Sequence, residues 1–436
     1  MVKIKKVVEV CTRIEGHGKI NIYLDNQSES ISHVNFEIAP FRGFENILLR
    51  KGLSDIPRIA SRICGLCHNS QSITSCKAVE NMYDIEPSER SILLRRMLMT
   101  GELIKSHSIH FFYQSMPDLL EIFKITKKTP SLYELIKFDS QLTDNVNQLI
   151  NVASEIDKIF GGRPVHAITL FPGGTIYEPS RKTIFIAKKD LKKALVNIEW
   201  IIEKFIDLFS KYKPPDAFKL PSQCFLGMHN NGRYDRYSGM GKIIDGKTKN
   251  IDFSANEYSE HFDKDTNLRG IEFKIKKNVL VGPLARYKII KTYPINKISN
   301  YLNYLDKEWN NNILFAHYIR LLEIYVETYQ ALEIIDDPLL KQKERLPSLN
   351  KIKNREGIAM IEAPRGSLLH HYYLDKANSI NEVKLYIATE INIPLINEMI
   401  TSYAQMLYEK NDLNFVKKRL QMLIRAFDPC ISCATH

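Results

Sequence analysis

The sequence predicts an α+β fold, in which long helices form a core bundle and small β-sheets lie at its periphery. Apolar residues recur at helical spacing in long segments after Glu89, whereas short runs with strand character occupy the N-terminus, a middle segment and the stretch before the last helices. The 436 residues can bury a large core, and 44% of them are hydrophobic. With no internal repeat, we expect a single domain over residues 1–436.

The N-terminal residues 1–40 are expected to form a small sheet. Its strands are predicted at Val7–Glu9, Lys19–Leu24 and His33–Ile38. The glycine-containing segment 12–18 between the first two strands is typical of a turn. Arg42–Glu45 then opens a short helix directed toward Gly52.

Residues 41–219 and 294–436 are expected to supply the helical core. Its apolar positions at helical spacing are Ile92, Leu93, Met97, Leu103 and Ile104, then Leu142, Val146, Leu149, Ala153, Ile156 and Phe160. The second series stops at Gly161–Gly162, which suits a helix C-cap. Leu191–Phe209 forms another amphipathic helix, which ends before Pro214.

The segment 220–293 is richer in Gly, Asn and aromatic residues, and we interpret it as a β-rich excursion with a hairpin turn at Ile244–Lys247. Helices return at Lys297–Ile335, with a break around Asn310–Asn312. The remaining predicted elements are strands at Gly357–Glu362 and Lys384–Thr389, a loop at Ala363–Ser367, and helices at Pro394–Glu409 and Leu413–Phe427.

The formal net charge of +11 is distributed along the chain, without a nucleic-acid-binding motif or a basic tail, so we expect a solvated surface or an acidic protein partner. No apolar run reaches the roughly 20 residues that a membrane span needs. The first ten residues have no apolar core or small-residue cleavage site of a signal peptide. Seven cysteines, an odd number, argue against a secreted disulfide framework. We therefore expect a cytoplasmic protein.

Two Cys-x-x-Cys pairs, Cys64–Cys67 and Cys430–Cys433, lie near opposite ends of the chain. This spacing lets two thiolates point at one metal centre, so a fold that joins the pairs creates a site of four thiolates. Soft sulfur ligands suit zinc, iron–sulfur clusters, copper(I) or a nickel- or iron-based centre. The pairs alone leave these alternatives open.

The residues around the two pairs resemble the two signatures of the nickel–iron hydrogenase large subunit. Further motifs that are similar to this family follow in the same order along the chain: Thr12–His17, Arg42–Glu45, Arg62–Cys67, His107–Phe111, Gly161–Arg163 with Pro172–Gly174, Glu362–Gly366 and Asp428–His436. The resemblance covers nearly the whole chain and is weakest over residues 220–353. It implies an oxidoreductase that cleaves dihydrogen reversibly and heterolytically, with the fold of that large subunit.

The same resemblance implies the cofactors. Cys64 and Cys430 would be terminal nickel ligands, while Cys67 and Cys433 would bridge nickel to an iron that carries carbon monoxide and cyanide. A structural zinc site is the alternative for four cysteines, but it does not explain the other motifs. Cys11, Cys76 and Cys224 are expected to be packing residues.

Three further residues take roles from the resemblance, and each has a simpler alternative. Glu15 would relay protons between a terminal cysteine and solvent, or else pair with Arg13 or His17. Arg365 would overhang the metals while its neighbours, Pro364 among them, contact the cyanides, and the alternative is a surface arginine that pairs with Glu362. Thr389 would donate to the other cyanide, or be an ordinary β-branched strand residue.

The last residue, His436, lies three positions after Cys433 and matches the family's trimmed C-terminus. The resemblance makes His436, Glu45 and a backbone carbonyl near Glu382 the ligands of a magnesium or second iron ion. A frayed, exposed terminal histidine is the alternative.

Departures from the family pattern point to its cytoplasmic branch, which couples to nicotinamide, deazaflavin or heterodisulfide partners. Gln71 stands where the family commonly has a histidine, which affects hydrogen bonding to sulfur and redox tuning. Ser106 replaces an aspartate that is frequent in membrane-associated and periplasmic members.

The sequence offers no further cysteine cluster for an iron–sulfur centre, so the electrons must leave through another polypeptide. The expected partners are the family's iron–sulfur small subunit, together with further electron-transfer subunits of the flavin or heterodisulfide type. Two competing functions are a non-catalytic homologue similar to the quinone-module subunit of respiratory complex I, which has lost the four cysteines, and a zinc-stapled scaffold.

Overall fold

The computed structural model describes residues 4–25, 30–38, 42–176, 178–246, 250–265, 270–342 and 346–436. The α-helices of these residues are α1 (Phe44–Leu48), α2 (Ile56–Ala60), α3 (His68–Tyr83), α4 (Glu89–Ser108), α5 (Met116–Ile122), α6 (Leu132–Phe138), α7 (Ser140–Gly161), α8 (Arg181–Lys211), α9 (Pro283–Ile289), α10 (Asn296–Asn303), α11 (Phe315–Asp336), α12 (Ala388–Tyr408), α13 (Leu413–Ala426) and α14 (Ile431–Ala434).

The β-strands are short and grouped into small sheets. They are β1 (Ile4–Cys11), β2 (Gly18–Asp25), β3 (Ser30–Ile38), β4 (Leu170–Phe171), β5 (Gly174–Thr175), β6 (Phe225–His229), β7 (Met240–Ile244), β8 (Ile251–Phe253), β9 (Phe262–Asp265), β10 (Gly270–Phe273), β11 (Glu356–Ala363), β12 (Gly366–Leu374) and β13 (Ile380–Tyr386). Each sheet is an antiparallel set of sequence neighbours: β1-β2-β3, β4-β5, β6-β7-β8, β9-β10 and β11-β12-β13.

The helices α4, α7, α8 and α11 pack on one another and form the bundle that the apolar periodicity predicts. In α7, capping residues define both ends of the helix. The Asp139 carboxylate accepts a hydrogen bond from the N–H of Leu142 at its start, and Gly162, with φ 74°, follows its last turn. The α+β prediction is confirmed. In the part of the chain that the structure describes, no helix is both long and apolar enough to cross a membrane.

Two hydrophobic clusters meet at the place where the two cysteine pairs converge. The larger joins the bundle to the N-terminal sheet, α12 and α13, and it includes Ile431 between the last two cysteines. The second surrounds α3 and the sheet β11-β12-β13, and it contains all four paired cysteines. Gly357 allows the close approach of β11 to α3, because a Cβ there would lie 2.2 Å from the carbonyl oxygen of Ala78.

Most sequence-predicted elements are present, with different ends. The three N-terminal strands extend beyond their predicted cores, and the helix at Arg42–Glu45 covers only Phe44–Leu48. The predicted break near Asn310 separates α10 from α11. The β-rich excursion contains β6 to β10 but also α9, and the predicted turn at Ile244–Lys247 connects β7 to β8, although Lys247 lies outside the described residues.

Two predictions near the site need correction, and two elements there were not predicted. Lys384–Thr389 is not a strand throughout: β13 ends at Tyr386, and Thr389 lies in the first turn of α12. The loop at Ala363–Ser367 is shorter than expected, because Gly366 already pairs with Ala363 in a hairpin. The strand β12 and the helix α3 were not predicted. Both are buried on nearly all sides, so neither shows the alternating or amphipathic pattern that identifies half-exposed elements.

Candidate metal centre

The four cysteines of the two Cys-x-x-Cys pairs converge in the folded chain. Cys67 precedes the first turn of α3, and Cys430 precedes the first turn of α14, so each pair lies at a helix start. All four Sγ atoms lie within 4.8 Å of one another. The Sγ atom of Cys430 is 3.3 Å from that of Cys64 and 2.9 Å from that of Cys433. Each residue is at most 3% exposed, so the sulfurs form a closed thiol cluster at the junction of the two chain ends.

The thiol cluster does not hold four negative charges by itself. Hydrogen bonds from the other cysteines, first from Cys430, lower the pKa of Cys64 well below its ordinary value. Burial raises the pKa of Cys430 well above it. One sulfur therefore takes the charge while neighbours keep their protons, and deprotonating all four requires a bound cation. This donor set fits a soft metal centre.

Arg42 and Glu15 hold the two chain ends together. The Arg42 guanidinium donates to the carbonyl oxygens of Ile63 and Ser432, one beside each cysteine pair. The carbonyl oxygen of Glu15 accepts a hydrogen bond of 3.1 Å from the N–H of Ile431. Three segments distant in sequence thus share one backbone junction around the sulfurs.

Glu15 contacts the cluster directly. Its Oε2 atom accepts hydrogen bonds of 3.2 Å from the Cys430 thiol and 2.9 Å from the N–H of Ser432. Its Oε1 atom accepts a 2.5 Å hydrogen bond from the Ser432 hydroxyl. Arg13 pairs with Asp118 instead, at 2.5 Å, so the structure does not use Glu15 in the alternative ion pair with Arg13. Glu15 is partly exposed and connects a buried sulfur to the surface of this chain.

Arg365 lies over the other side of the cluster, at the tip of the β11–β12 hairpin. Its Nη1 atom donates to the Sγ atom of Cys67 at 3.1 Å, and its Nε atom donates to the carbonyl oxygen of Asp428 at 3.0 Å. Arg365 is only 4% exposed, and Glu362 pairs with Arg286 instead, so the surface-arginine alternative is wrong.

One N–H group of the Arg365 guanidinium is available to a ligand. Its Nη2 atom lies 3.1 Å from Asp428 Oδ1 as an ion pair, but within the described ranges no acceptor meets it in hydrogen-bond geometry. A buried, permanently charged donor in this state suits a small anionic ligand beside the sulfurs. The residues present therefore fit a metal that carries such ligands better than a bare zinc ion.

Arg286 fixes the backbone of the loop that carries Arg365. This side chain donates to the carbonyl oxygens of Ala363 at 3.0 Å and Pro364 at 2.9 Å. Arg286 also forms ion pairs with Glu323 at 2.6 Å and with Glu362 at 2.8 Å, and all three side chains are at most 1% exposed. The ionic scaffold, as we call Arg286, Glu323 and Glu362, fixes the hairpin tip over the sulfurs.

Thr389 reaches the cluster from α12. Its Oγ1 atom accepts a hydrogen bond of 2.9 Å from the N–H of Cys430. The hydroxyl proton therefore remains available for a second acceptor. The strand alternative for this residue is wrong, since Thr389 lies in a helix turn and contacts the cysteine loop.

Gln71 lies in α3, one turn after Cys67. Its Nε2 atom is 4.0 Å from the Sγ atom of Cys433, and its Oε1 atom forms a 2.8 Å hydrogen bond with His370 Nε2. His370 Nδ1 bonds the hydroxyl of Tyr372 at 2.7 Å. Burial lowers the pKa of His370 to about 3, so the ring is neutral and can donate from Nε2 to Gln71. Gln71 is thereby held with its amide N–H groups toward the sulfur.

The residues expected to bind a cation at the C-terminus are only partly brought together. His436 is 3% exposed, so the frayed-terminus alternative is wrong, and its Nε2 atom lies 3.5 Å from Glu45 Oε1. Lys264 Nζ lies beside both atoms, 3.0 Å from Glu45 Oε1 and 2.9 Å from His436 Nε2. Glu382 is exposed on β13, with its backbone paired to Tyr373, and the strand residue that reaches Glu45 is Leu385, whose N–H donates at 2.8 Å.

The remaining cysteines are apart from the cluster. Cys11, Cys76 and Cys224 are each at most 3% exposed and pack in three different hydrophobic clusters. Burial raises the pKa of Cys11 and of Cys76 to about 12, and that of Cys224 to about 11. These thiols stay protonated and behave as small apolar side chains.

Sequence reasoning assigned no role to Asp428, Ser432, His370 or Lys264. The first two lie within the C-terminal motif, and a search for a partner of Arg365 could have found the carboxylate of Asp428. His370 and His371 are polar residues between Leu369 and Tyr372 in a predicted core region, which signals buried hydrogen bonds. Lys264 carries no local signal that we recognise.

Comparison with known proteins identifies the class. The family model described as nickel-dependent hydrogenase matches residues 42–158 and 276–436, and a second model, described as HoxL-like, matches residues 6–41. The chain belongs to the nickel-dependent hydrogenase family, and it is a hydrogenase large subunit rather than a complex I homologue or a zinc scaffold.

Within this family, the chain is similar to components of multi-subunit hydrogenases. It is 29% identical to a subunit of the F420-non-reducing hydrogenase of Methanothermobacter marburgensis, over 99% of this chain and 95% of the relative. It is 28% identical to the HoxS subunit beta of the NAD-reducing hydrogenase of Cupriavidus necator, over 99% and 94%. A solved NAD+-reducing [NiFe]-hydrogenase in the H2-reduced state superimposes with a TM-score of 0.92 at 23% identity, with 100% of both chains covered, which shows the same fold.

Proposed function

We propose that Cys64, Cys67, Cys430 and Cys433 hold a nickel–iron centre whose iron carries carbon monoxide and cyanide. The convergence of four buried sulfurs within 4.8 Å, two from each end of the chain, is the observation that carries the proposal. When bound, this centre supplies the heterolytic cleavage of dihydrogen, which yields two protons and two electrons. The protein supplies the ligands, the proton acceptor and the polar groups around the centre.

The contacts support different ligand roles for the four sulfurs. Cys430 contacts the carboxylate of Glu15, as expected of a terminal ligand whose sulfur exchanges protons. Cys67 accepts a hydrogen bond from Arg365, and Gln71 lies 4.0 Å from Cys433. In this proposal Cys64 and Cys430 would hold nickel as terminal ligands, and Cys67 and Cys433 would hold nickel and iron together.

Glu15 is the proposed proton acceptor. In this step the S–H bond of Cys430 breaks, an O–H bond forms at Glu15 Oε2, and the electron pair stays on the sulfur. The distance of 3.2 Å between these atoms permits direct transfer. The hydrogen bonds from Ser432 keep the carboxylate oriented toward the sulfur, and the partly exposed side chain passes the proton outward.

Arg365, Pro364 and Thr389 are proposed to surround the diatomic ligands of the iron. The Nη2 group of Arg365 and the hydroxyl proton of Thr389 are donors suited to two cyanide nitrogens. Pro364 has no N–H group and places a rigid, apolar ring beside them. The magnesium or second iron expected near His436 does not fit the observed contacts, since the Lys264 ammonium lies between the residues that would bind it.

The electrons must leave through a partner. Of the residues that the structure describes, only the four paired cysteines form a metal-binding group of this kind, so we propose that the immediate electron acceptor is an iron–sulfur small subunit. The F420-non-reducing and NAD-reducing relatives favour further electron-transfer subunits of the flavin or heterodisulfide type. The cytoplasmic location stays a prediction.

Infrared spectroscopy of the complex, purified from a host with nickel–iron maturation enzymes, tests the proposal. We expect bands of metal-bound carbon monoxide and cyanide, together with one nickel per chain and hydrogen-dependent dye reduction. Cys76→Ser provides a matched control that should retain all three signals. One zinc per chain without these bands would contradict the proposal.

A further inference from the structure

The side chain of Lys264 lies at the C-terminal end of the chain, although it belongs to the distant hairpin β9–β10. Its Nζ atom is 3.0 Å from Glu45 Oε1, 2.9 Å from His436 Nε2 and 3.5 Å from Glu390 Oε1. It also lies 5.7 Å from the centroid of the Tyr386 ring. We call Lys264, Glu45, Glu390 and His436 the tail pocket.

The acceptors of the tail pocket are arranged around a single cation. His436 Nδ1 lies 2.9 Å from the carbonyl oxygen of Cys433, which has no proton to give, so Nδ1 carries the ring proton and donates it. The lone pair of Nε2 is then left to accept from Lys264. Glu45 Oε1 already accepts from the N–H of Leu385, which fixes its orientation.

Two N–H bonds of the ammonium group point to Glu45 Oε1 and to the Nε2 lone pair of His436, and the Glu390 carboxylate lies 3.5 Å away as an ion pair. The side chains of Lys264, Glu45 and Glu390 are 21%, 23% and 9% exposed. In such a partly buried place, carboxylates need a positive partner, and the ammonium supplies it. A divalent cation cannot share this position with Nζ, because cation–oxygen distances of about 2.0–2.6 Å would bring the two positive groups into contact.

We propose that the ammonium group of Lys264 takes the place of a divalent cation in the tail pocket and ties the C-terminal His436 to Glu45. The chain itself therefore supplies the charge that secures the turn carrying Cys430 and Cys433. This inference does not depend on nickel, because none of the tail-pocket side chains contacts the four sulfurs among the described hydrogen bonds.

The test is divalent-cation binding to the intact complex, with Mn²⁺ as the probe. The complex is stripped with a chelator, dialysed against Mn²⁺ and analysed by metal counting and by electron paramagnetic resonance for histidine nitrogen coupling. We expect wild-type protein to hold no stoichiometric Mn²⁺ or Mg²⁺ with a histidine ligand. Lys264→Ala should gain one Mn²⁺ per chain with nitrogen coupling, and Lys264→Ala/His436→Ala should lose it.

Lys384→Ala is the matched control. This lysine belongs to the neighbouring strand β13, pairs with Asp263 at 3.4 Å and should gain no Mn²⁺ when removed. Thermal unfolding adds a second readout: Mg²⁺ should raise the Tm of Lys264→Ala and leave that of wild type unchanged.

A histidine-coordinated divalent cation in the wild-type complex, absent from His436→Ala, would overturn the inference, and this measurement needs no lysine variant to fold. A folded Lys264→Ala protein that binds no Mn²⁺ would overturn it as well. Nickel content and infrared bands are read separately, so failure of the nickel–iron proposal is distinguishable from failure here.

Discussion

The thiol cluster and the tail pocket both join the beginning of the chain to its end, but they obtain their positive charge in different ways. The cluster brings Cys64 to Cys430 and offers four soft donors, with an unsatisfied guanidinium N–H beside them. The tail pocket brings Glu45 to His436, and an ammonium group of the chain itself already contacts both side chains. The presence of ligand residues similar to those of a family therefore does not show that a metal is bound, because a residue from elsewhere in the fold can take the position of the metal.

The largest expected effect is at the thiol cluster. Cys430→Ser removes one of the four sulfurs and the proton donor that contacts Glu15. Nickel content and hydrogen-dependent dye reduction should fall by more than about 100-fold, beyond the usual effect of losing an outer partner of a metal site. Metal counting and activity on the purified complex measure this, and Cys76→Ser should behave as wild type. Full nickel content in Cys430→Ser would contradict the assignment of Cys430 as a metal ligand.

The next effect separates proton transfer from metal binding. Glu15→Gln keeps an acceptor near the Ser432 hydroxyl but cannot take the Cys430 proton, so turnover and hydrogen–deuterium exchange should fall by about 10²–10⁴-fold. The infrared bands should remain, which a merely structural role would not predict. Glu9→Gln, on the neighbouring strand β1, serves as a control with ordinary activity. Unchanged exchange activity in Glu15→Gln would assign the relay to another residue.

A third prediction concerns the ionic scaffold behind Arg365. Burial opposes ionisation of Glu323, but Arg286 and His107 outweigh it and lower the pKa of Glu323 to about 2. A carboxylate with a lowered folded-state pKa stabilises the fold above its unfolded pKa of about 4.5, and this contribution is lost as the pH falls toward 2. Glu323→Gln should therefore cost about 3 kcal/mol at pH 7, within the range for breaking a buried ion pair.

Calorimetry of the complex at several pH values checks the sign of this effect. The difference in Tm between wild type and Glu323→Gln should be largest near pH 7 and narrow below about pH 4.5. Glu203→Gln, an exposed residue of α8, should leave Tm unchanged at every pH. A difference that widens in acid would mean that Glu323 is protonated in the folded protein.

The smallest expected effect is at Gln71. Gln71→Leu removes the amide that His370 directs toward Cys433, without removing a ligand. Activity should fall by about 10-fold or less, the low end for outer partners of metal sites. The infrared bands and the reduction potential of the centre should shift, and His370→Phe should reproduce the direction of that shift. Infrared bands unchanged from wild type in both variants would show that the amide does not act on the sulfur.

Part of the fold was predictable because its signal is local. The helices α7, α8 and α13 each show one apolar face against a polar one, so their periodicity is visible without knowledge of their neighbours. The helix α3 and the strand β12 were missed since they are buried on both sides. Thr389 was misplaced because β-branched residues favour strands locally, whereas packing of α12 against the cysteine loop decides the outcome.

The donors can be read directly from the amino-acid order: two spaced cysteine pairs, a carboxylate at Glu15, a guanidinium at Arg365 and a terminal histidine. Which of these groups meet depends on the folded chain. The contact of Cys64 with Cys430 spans 366 residues and that of Lys264 with His436 spans 172, and no local preference encodes such distances. They follow from the burial of α3 with the sheet β11-β12-β13 in one hydrophobic cluster and of α12 with α13 in another, which is a property of the whole chain.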